Sequence, residues 1–384
     1  MVIVGFPPAF SGAAEALIKL ASGLQHLGLN VKVLCARPSD QASEGSVGSL
    51  PVTYLSSGSW RDLFADAPRN VVACFGFRSA CYIWRHRQSI DVVHFHGAGR
   101  VTVLPLLVAR VLGLPTLAKL TNIDHDSLSA HRRRRGGKLL VRVLRFLDMC
   151  IAISPLLAED LSLWGWPKTK ALQIPNPVDT DKFCPAEVAE RASRRQGFGF
   201  ADDEFIFLFI GILQMRKGLD TLAAAWIQVT QRLGPKAKLV LVGPHCTHET
   251  ELMQRLSILP NAVLTGRASQ GEVRDYLRAA DAFVFPTRSE GLGNAVLEAM
   301  ACELPCIATR IEGITDYMLG GGRGILVDPE SSESLANAMV WICENKARSR
   351  EYGQKARVWA VATVDTCVVA RQYASLYMSL LARK

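Results

Sequence analysis

The stretch EGLGNAVLE, Glu290 to Glu298, sets two carboxylates at either end of a glycine-rich turn, and the segment after it is almost wholly apolar. Gly291 and Gly293 permit a tight turn and close approach of the backbone. Asn294 is a good N-cap for a helix starting there. A helix N-terminus behind such a turn offers free N–H groups and the positive end of the helix dipole, which suits phosphate. Glu298 then falls about one turn into the helix, among Ala295, Val296, Leu297, Ala299, Met300 and Ala301. A carboxylate buried there without a partner is costly. Two readings fit. In one, a ribose supplies two hydroxyls to Glu298 while Glu290 reaches a sugar beyond the phosphates. In the other, both glutamates face solvent and Glu298 is simply favoured near the positive helix end.

A second constellation lies in FIGILQMRKGLDTL, residues 209–222, where Arg216 and Lys217 precede Gly218 at the start of a helix. Two cations beside a helix start make a sensible pyrophosphate clamp, or else a solvated basic loop. In PPAFSGAAE, residues 7–15, Ser11 and Gly12 form a small-residue turn between a strand and a helix, where a diphosphate or sugar could approach.

These residues need a scaffold, and the hydrophobic pattern supplies one. Short apolar runs at VIVG (2–5), VKVLCA (31–36), DVVHFH (91–96), PTLAKLT (115–121), MCIAIS (149–154) and ALQIP (171–175) read as strands. Stretches of helical spacing, such as 11–28 and 101–113, lie between them. The segment 175–185 contains Pro175, Pro177 and Pro185 and marks a boundary. Beyond it the alternation restarts: strands at 204–211, 238–244, 261–266, 281–286, 305–309 and 324–329, helices at 219–234 and 294–301, and several helices from 331 to 382. Such alternation predicts an α/β fold with two doubly wound, Rossmann-like halves facing across a cleft. Ligands in such sheets sit beyond the carboxyl ends of the strands, so the loops after the strands should carry the site.

A length of 384 residues also suggests two domains. The formal net charge of +9 favours an anionic partner. The ten cysteines form no C-x-x-C pair or zinc-ligand spacing, and free thiols suggest a reducing compartment. No signal peptide or membrane span is expected. A cytoplasmic protein follows, with a peripheral place at the inner face of the membrane as an option.

In that order, SGAAE, DVVHFH, CIAIS, IPNPVDTDKF, RKGLDTL, LVG, ADAFVFPTRSEGLGNAVLEAMACELPCIAT and GILVDP resemble the GT-B glycosyltransferases grouped as family 4, over nearly the whole chain. Enzymes of this family are retaining and use nucleotide-sugar donors. The E-x7-E element in its EAMA context and the IPN-x-VD-x-DKF linker are the most specific matches. The resemblance implies an acceptor-binding domain at 1–177, a donor-binding domain at 178–365, and a last helix at 366–384 packing back on the first domain. It places His96 near the transferred sugar and Lys217 on the donor diphosphate. It also puts Glu290 on the sugar hydroxyls, Glu298 on the ribose and Gly12 in the N-terminal loop. The backbone of Leu292, Gly293 and Asn294 should lie near the sugar and phosphates. No metal and no other cofactor is implied. The acceptor would be a glycan or lipid-linked hydroxyl.

The chain departs from the family pattern at Ile212, where an arginine is usual, at Ala13, where a second glycine is usual, and at Glu303-Leu304-Pro305, where a glycine usually precedes the proline. Arg216 is the candidate substitute for the missing cation. Asp124-His125-Asp126 and Asp179-Thr180-Asp181 read D-x-D, a metal-binding pattern in other glycosyltransferase folds. In this family the linker copy is carried without metal. Asp124 to Asp126 is either an acceptor-facing group or a cap and surface loop. His94 alternates with His96 as a buried or supporting group.

The run HRRRRGGKLLVRVLR, residues 131–145, reads as a basic amphipathic helix for anionic head groups, or as a solvated charged face. No nucleic-acid motif accompanies it. The same fold also serves nucleotide-sugar epimerases, phosphorylase-like enzymes and non-catalytic relatives. A nicotinamide enzyme would need a G-x-G-x-x-G turn with an acidic residue downstream, and neither half has one.

Overall fold

The computed structural model describes residues 1–3, 12–37, 43–56, 69–121, 123, 127–246 and 248–383. The end of the expected first strand, Ser11, and Asp124 to Asp126 lie outside the described residues. The chain folds into two compact units, residues 1–177 with 366–384 and residues 178–365.

The first unit is built on strands β1 (Val2–Ile3), β2 (Val33–Arg37), β3 (Glu44–Val47), β4 (Leu50–Ser56), β5 (Val93–His96), β6 (Thr116–Leu120), β7 (Met149–Ala152) and β8 (Ala171–Gln173). They lie in the order β3-β4-β2-β1-β5-β6-β7-β8. Only β3 runs antiparallel, paired to β4 through Val47 and Leu50. β5, β6 and β7 are buried along their whole length, as a parallel sheet covered on both faces requires. Helix Thr366–Leu381 belongs to this unit. It packs against helix Gly12–His26, where a Cβ on Gly23 would lie 2.8 Å from Thr366 Cγ2 and 2.9 Å from Ala370 Cβ. Leu17, Leu20, Leu24, Val369, Ala370 and Tyr373 share its core.

The second unit has six parallel strands: β9 (Phe205–Ile210), β10 (Ala237–Val242), β11 (Ala262–Gly266), β12 (Ala282–Phe285), β13 (Cys306–Thr309) and β14 (Ile325–Val327). Their order is β11-β10-β9-β12-β13-β14. The runs FIFLFI and AFVF are apolar throughout because both faces of these central strands are covered. The chain winds from β9 outward to β11, then crosses back to β12 on the other side. The switch point is therefore between β9 and β12, the place where open α/β sheets bind ligands. In the first unit the corresponding switch lies between β1 and β5.

Candidate active site

At the switch point of the second unit, glycines let the backbone close up. Gly243 comes so near Gly211 that a Cβ on it would lie 1.9 Å from the Gly211 carbonyl oxygen. Gly218 ends the short 3-10 turn Met215–Lys217 in left-handed backbone, φ +68°, and caps helix Leu219–Leu233. A Cβ there would lie 1.9 Å from the Pro286 carbonyl oxygen. The loop after β9 is thereby pressed onto the loop after β12.

That contact carries the charged groups. Lys217 Nζ is bonded to Glu290 Oε1, and their side chains are 11% and 14% exposed. The ammonium also sits 5.2 Å from the centre of the Phe285 ring. Thr287, fully buried, shares its hydroxyl among Glu290 Oε1, the Ser289 carbonyl and the Arg216 carbonyl. Arg216 is exposed and donates from Nη1 to the Ser289 carbonyl at 2.7 Å. The Arg288 N–H in turn donates to the Arg216 carbonyl at 2.9 Å. The Arg288 guanidinium grips Asp220 with both arms, at 2.9 and 2.7 Å, and reaches Glu330 at 2.6 Å and the Met215 carbonyl. Its hydrogen bond to Asp220 chiefly raises its already high pKa. Lys217 and Glu290 thus stand on two loops sewn together by crossed straps.

The glycine turn follows. Leu292 is buried, and its carbonyl accepts from the Tyr317 hydroxyl at 2.9 Å. Gly293 has left-handed backbone, φ +74°, and occupies the N-cap of helix Asn294–Ala301. Asn294, expected at the cap, is instead the first helical residue, because the left-handed step that swings the chain into the helix is one only glycine takes at little cost. Glu298 is 7% exposed, which removes the solvent-facing reading of it. The expectation of a carboxylate held within an apolar helix matches this burial.

In the first unit, His96 ends β5 at its carboxyl end and is 9% exposed. It stacks on His94, ring centres 4.3 Å apart. His94 Nδ1 pairs with the Tyr377 hydroxyl at 2.8 Å. His96 pairs in register with Lys119 on β6, and Lys119 is fully buried beside the Tyr373 ring. Among the described residues neither ring nitrogen of His96 nor the Lys119 ammonium has a hydrogen-bond partner. Burial drives both histidines well below their usual pKa, keeping the imidazoles neutral, and lowers Lys119 to about 7. Gly12 opens helix Gly12–His26 and is exposed.

The other candidates fall as follows. Ile212 follows β9 half-buried, beside a backbone bridge from Leu213 to His245, and brings no charge to the loop. Asp179 spends its carboxylate on the Lys182 N–H at 3.1 Å and the Lys182 ammonium at 2.8 Å. The basic run is not one helix. Helices Leu128–Arg133 and Gly137–Leu144 are separated by a left-handed step at Gly136, φ +77°. A Cβ on Gly137 would lie 1.8 Å from the His131 carbonyl oxygen. Arg132, Arg133, Arg134, Arg135, Lys138, Arg142 and Arg145 are nonetheless all exposed, with Leu139 at 66% and Phe146 at 49% beside them. Arg132 lies over the Trp164 ring at 3.9 Å.

Sequence reasoning passed over Thr287, Arg288, Tyr317 and Lys119. The Arg288–Asp220 pair left no local signal, being 68 residues apart. Lys119 left one: a lysine in the middle of the strand PTLAKLT.

Residues 190–359 match the family model described as glycosyl transferases group 1, and residues 11–177 match the glycosyl transferase 4-like domain. The D-inositol 3-phosphate glycosyltransferase of Kineococcus radiotolerans is 25% identical over 370 residues, spanning 88% of this chain and 84% of its own. The UDP-Gal:alpha-D-GlcNAc-diphosphoundecaprenol alpha-1,3-galactosyltransferase of Escherichia coli is 25% identical over 358 residues, 86% of this chain and 87% of its own. Among solved structures, Anabaena HepE in complex with UDP-glucose aligns at a TM-score of 0.78 and 19% identity, covering 99% of this chain and all of that one. Two Rossmann-like units of this kind define a GT-B protein. The chain belongs to the group 1, family 4 glycosyltransferases, and it is a glycosyltransferase.

Proposed function

We propose that this enzyme moves a sugar from a nucleoside diphosphate donor to an acceptor hydroxyl with retention of anomeric configuration and without a metal ion. The observation that carries the reading is the Lys217–Glu290 pair at the switch point, next to a glycine turn that opens a helix with a buried glutamate. Lys217, supplemented by the exposed guanidinium of Arg216 and the N-terminus of helix Asn294–Ala301, takes up the charge that grows on the leaving diphosphate, usually the largest catalytic contribution. Glu290 holds sugar hydroxyls, and Glu298 holds the ribose. Neutral His96 serves the transferred sugar as a hydrogen-bonding group. The bond from C1 to the diphosphate breaks as the acceptor oxygen bonds to C1 on the same face. The acceptor proton passes to a phosphate oxygen of the donor.

UDP is the donor nucleotide we favour, because the Escherichia coli relative is named for UDP-Gal and HepE was solved with UDP-glucose. The two relatives' names also give phosphate-bearing acceptors, inositol 3-phosphate and a diphosphoundecaprenol. A phosphate-bearing, membrane-presented acceptor suits the net charge of +9 and the exposed basic and apolar residues between 131 and 146.

Thermal shift with UDP-, GDP- and ADP-sugars, followed by turnover with the best stabiliser, tests the donor. A shift with a UDP-sugar, unaffected by EDTA, is the expected result. No shift with any of the three sinks the reading. NMR of the product anomer decides retention.

A further inference from the structure

We infer that Tyr317 is a positioning residue for the transfer reaction: its hydroxyl fixes the peptide plane between Leu292 and Gly293, so that the Gly293 N–H is presented at the helix end where the donor diphosphate binds. The inference rests on the donor reading proposed above.

The geometry starts from one hydrogen bond. Tyr317 Oη donates to the Leu292 carbonyl at 2.9 Å. A trans peptide is planar, so a carbonyl held on one side sends the following N–H to the other. Gly293 is also where a Cβ would lie 3.2 Å from the Tyr317 oxygen. The hydroxyl is thus seated against the turn itself. Gly293 has no Cβ to restrict its rotation, so a carbonyl held by a hydrogen bond is what orders this peptide.

The tyrosine is itself held by two neighbours. Its ring stacks on Trp359, centres 5.5 Å apart at 16°. Arg323 lies over the same indole at 5.3 Å and donates to the Tyr317 carbonyl at 2.7 Å. Gly313, on the same segment, abuts the turn too: a Cβ there would lie 3.0 Å from the Gly291 carbonyl oxygen and 3.3 Å from that of Glu290. Tyr317 is 5% exposed, and burial above all keeps its phenol protonated as a donor. A donor N–H aimed at a developing oxyanion contributes most in the transition state. Its loss of order should therefore lower kcat more than it raises KM.

Tyr317→Phe removes only the oxygen and keeps the ring on Trp359, whereas Tyr317→Leu also opens space in the core. The expected result is a kcat about tenfold lower in Tyr317→Phe with the donor KM changed less than about twofold. Amide exchange at Gly293 should also become faster in the same variant. Normal kcat in Tyr317→Phe with loss only in Tyr317→Leu would reduce Tyr317 to packing and overturn the inference. So would unchanged exchange at Gly293. The exchange measurement needs no substrate, so it judges the role of Tyr317 even where wild-type protein turns over no nucleotide sugar, an outcome that would instead count against the donor reading.

Discussion

Lys217 and Glu290 are joined directly across the switch point of the second unit, although 73 residues separate them. Each neutralises the other. A donor diphosphate and sugar would exchange this one contact for two, phosphate on Lys217 and hydroxyls on Glu290. Lys217→Ala and Glu290→Ala should each lower kcat/KM by at least about 100-fold, the scale of losing one preorganised charge contact in the transition state. The two effects should add to less than their sum in the double variant, because residues in contact couple. Steady-state kinetics on the two single variants and the double variant checks this. Full additivity would show that the pair does not act as a unit.

Gly218 tests the scaffold rather than the chemistry. Its left-handed backbone strains any side chain, and a Cβ would enter the Pro286 carbonyl at 1.9 Å. Gly218→Ala must push the two loops apart. We expect a loss of at least about 2 kcal/mol in unfolding free energy, above the usual effect of a surface change. Gly136→Ala is the control: it too caps a helix in left-handed backbone, φ +77°, but no atom lies within 4 Å of its Cβ position. Urea unfolding of both variants separates clash from strain. Equal losses would mean that the close approach to Pro286 costs nothing.

Much of this site was legible because parallel strands buried on both faces leave unbroken apolar runs, and the loops after β9 and β12 announced themselves through glycine and charge. The hairpin β3–β4 was missed, although Gly48-Ser49 between Val47 and Leu50 is a recognised two-residue hairpin signal. Glu44, Gly45 and Ser46 of its strand are exposed and carry no apolar side chain, so no hydrophobic pattern drew attention to it. The cap at Gly293 was misplaced by one residue because side-chain preference pointed to Asn294 while the backbone turn decided the matter. The clamp of Arg288 on Asp220 and the hydroxyl of Tyr317 on Leu292 are tertiary contacts that local spacing does not encode.

Lys119 predicts an unusual pH dependence of stability. Its ammonium is fully buried beside the Tyr373 ring, its charge acts on His94 and His96, and burial lowers its pKa from 10.5 to about 7. The unfolded chain keeps this proton up to about pH 10.5, whereas the folded protein releases it near pH 7. Between those values the unfolded state binds more protons, so stability rises with pH. Below pH 7 both states are protonated and the folded state carries the whole burial penalty, on the order of several kcal/mol. Lys119→Met should raise the melting temperature at pH 7 and flatten the rise from pH 7 to about 10. Denaturation curves across that range decide it, and a slope equal to that of wild type would show that Lys119 does not titrate there.

The basic surface predicts membrane binding of a particular kind. Arg133, Lys138 and Arg142 are exposed around Leu139, which is 66% exposed, and Phe146, at 49%. Cations near an anionic bilayer contribute about 1 kcal/mol each, screened by salt, and apolar side chains add an anchor that salt does not weaken. Sedimentation with phosphatidylglycerol vesicles should therefore capture the protein at low salt and release most of it at high salt, with phosphatidylcholine vesicles capturing little. Arg133→Glu with Arg142→Glu should abolish capture. Leu139→Ser with Phe146→Ser should weaken it at both salt concentrations. Capture that ignores both lipid charge and the arginine reversals would assign this surface to solvent alone.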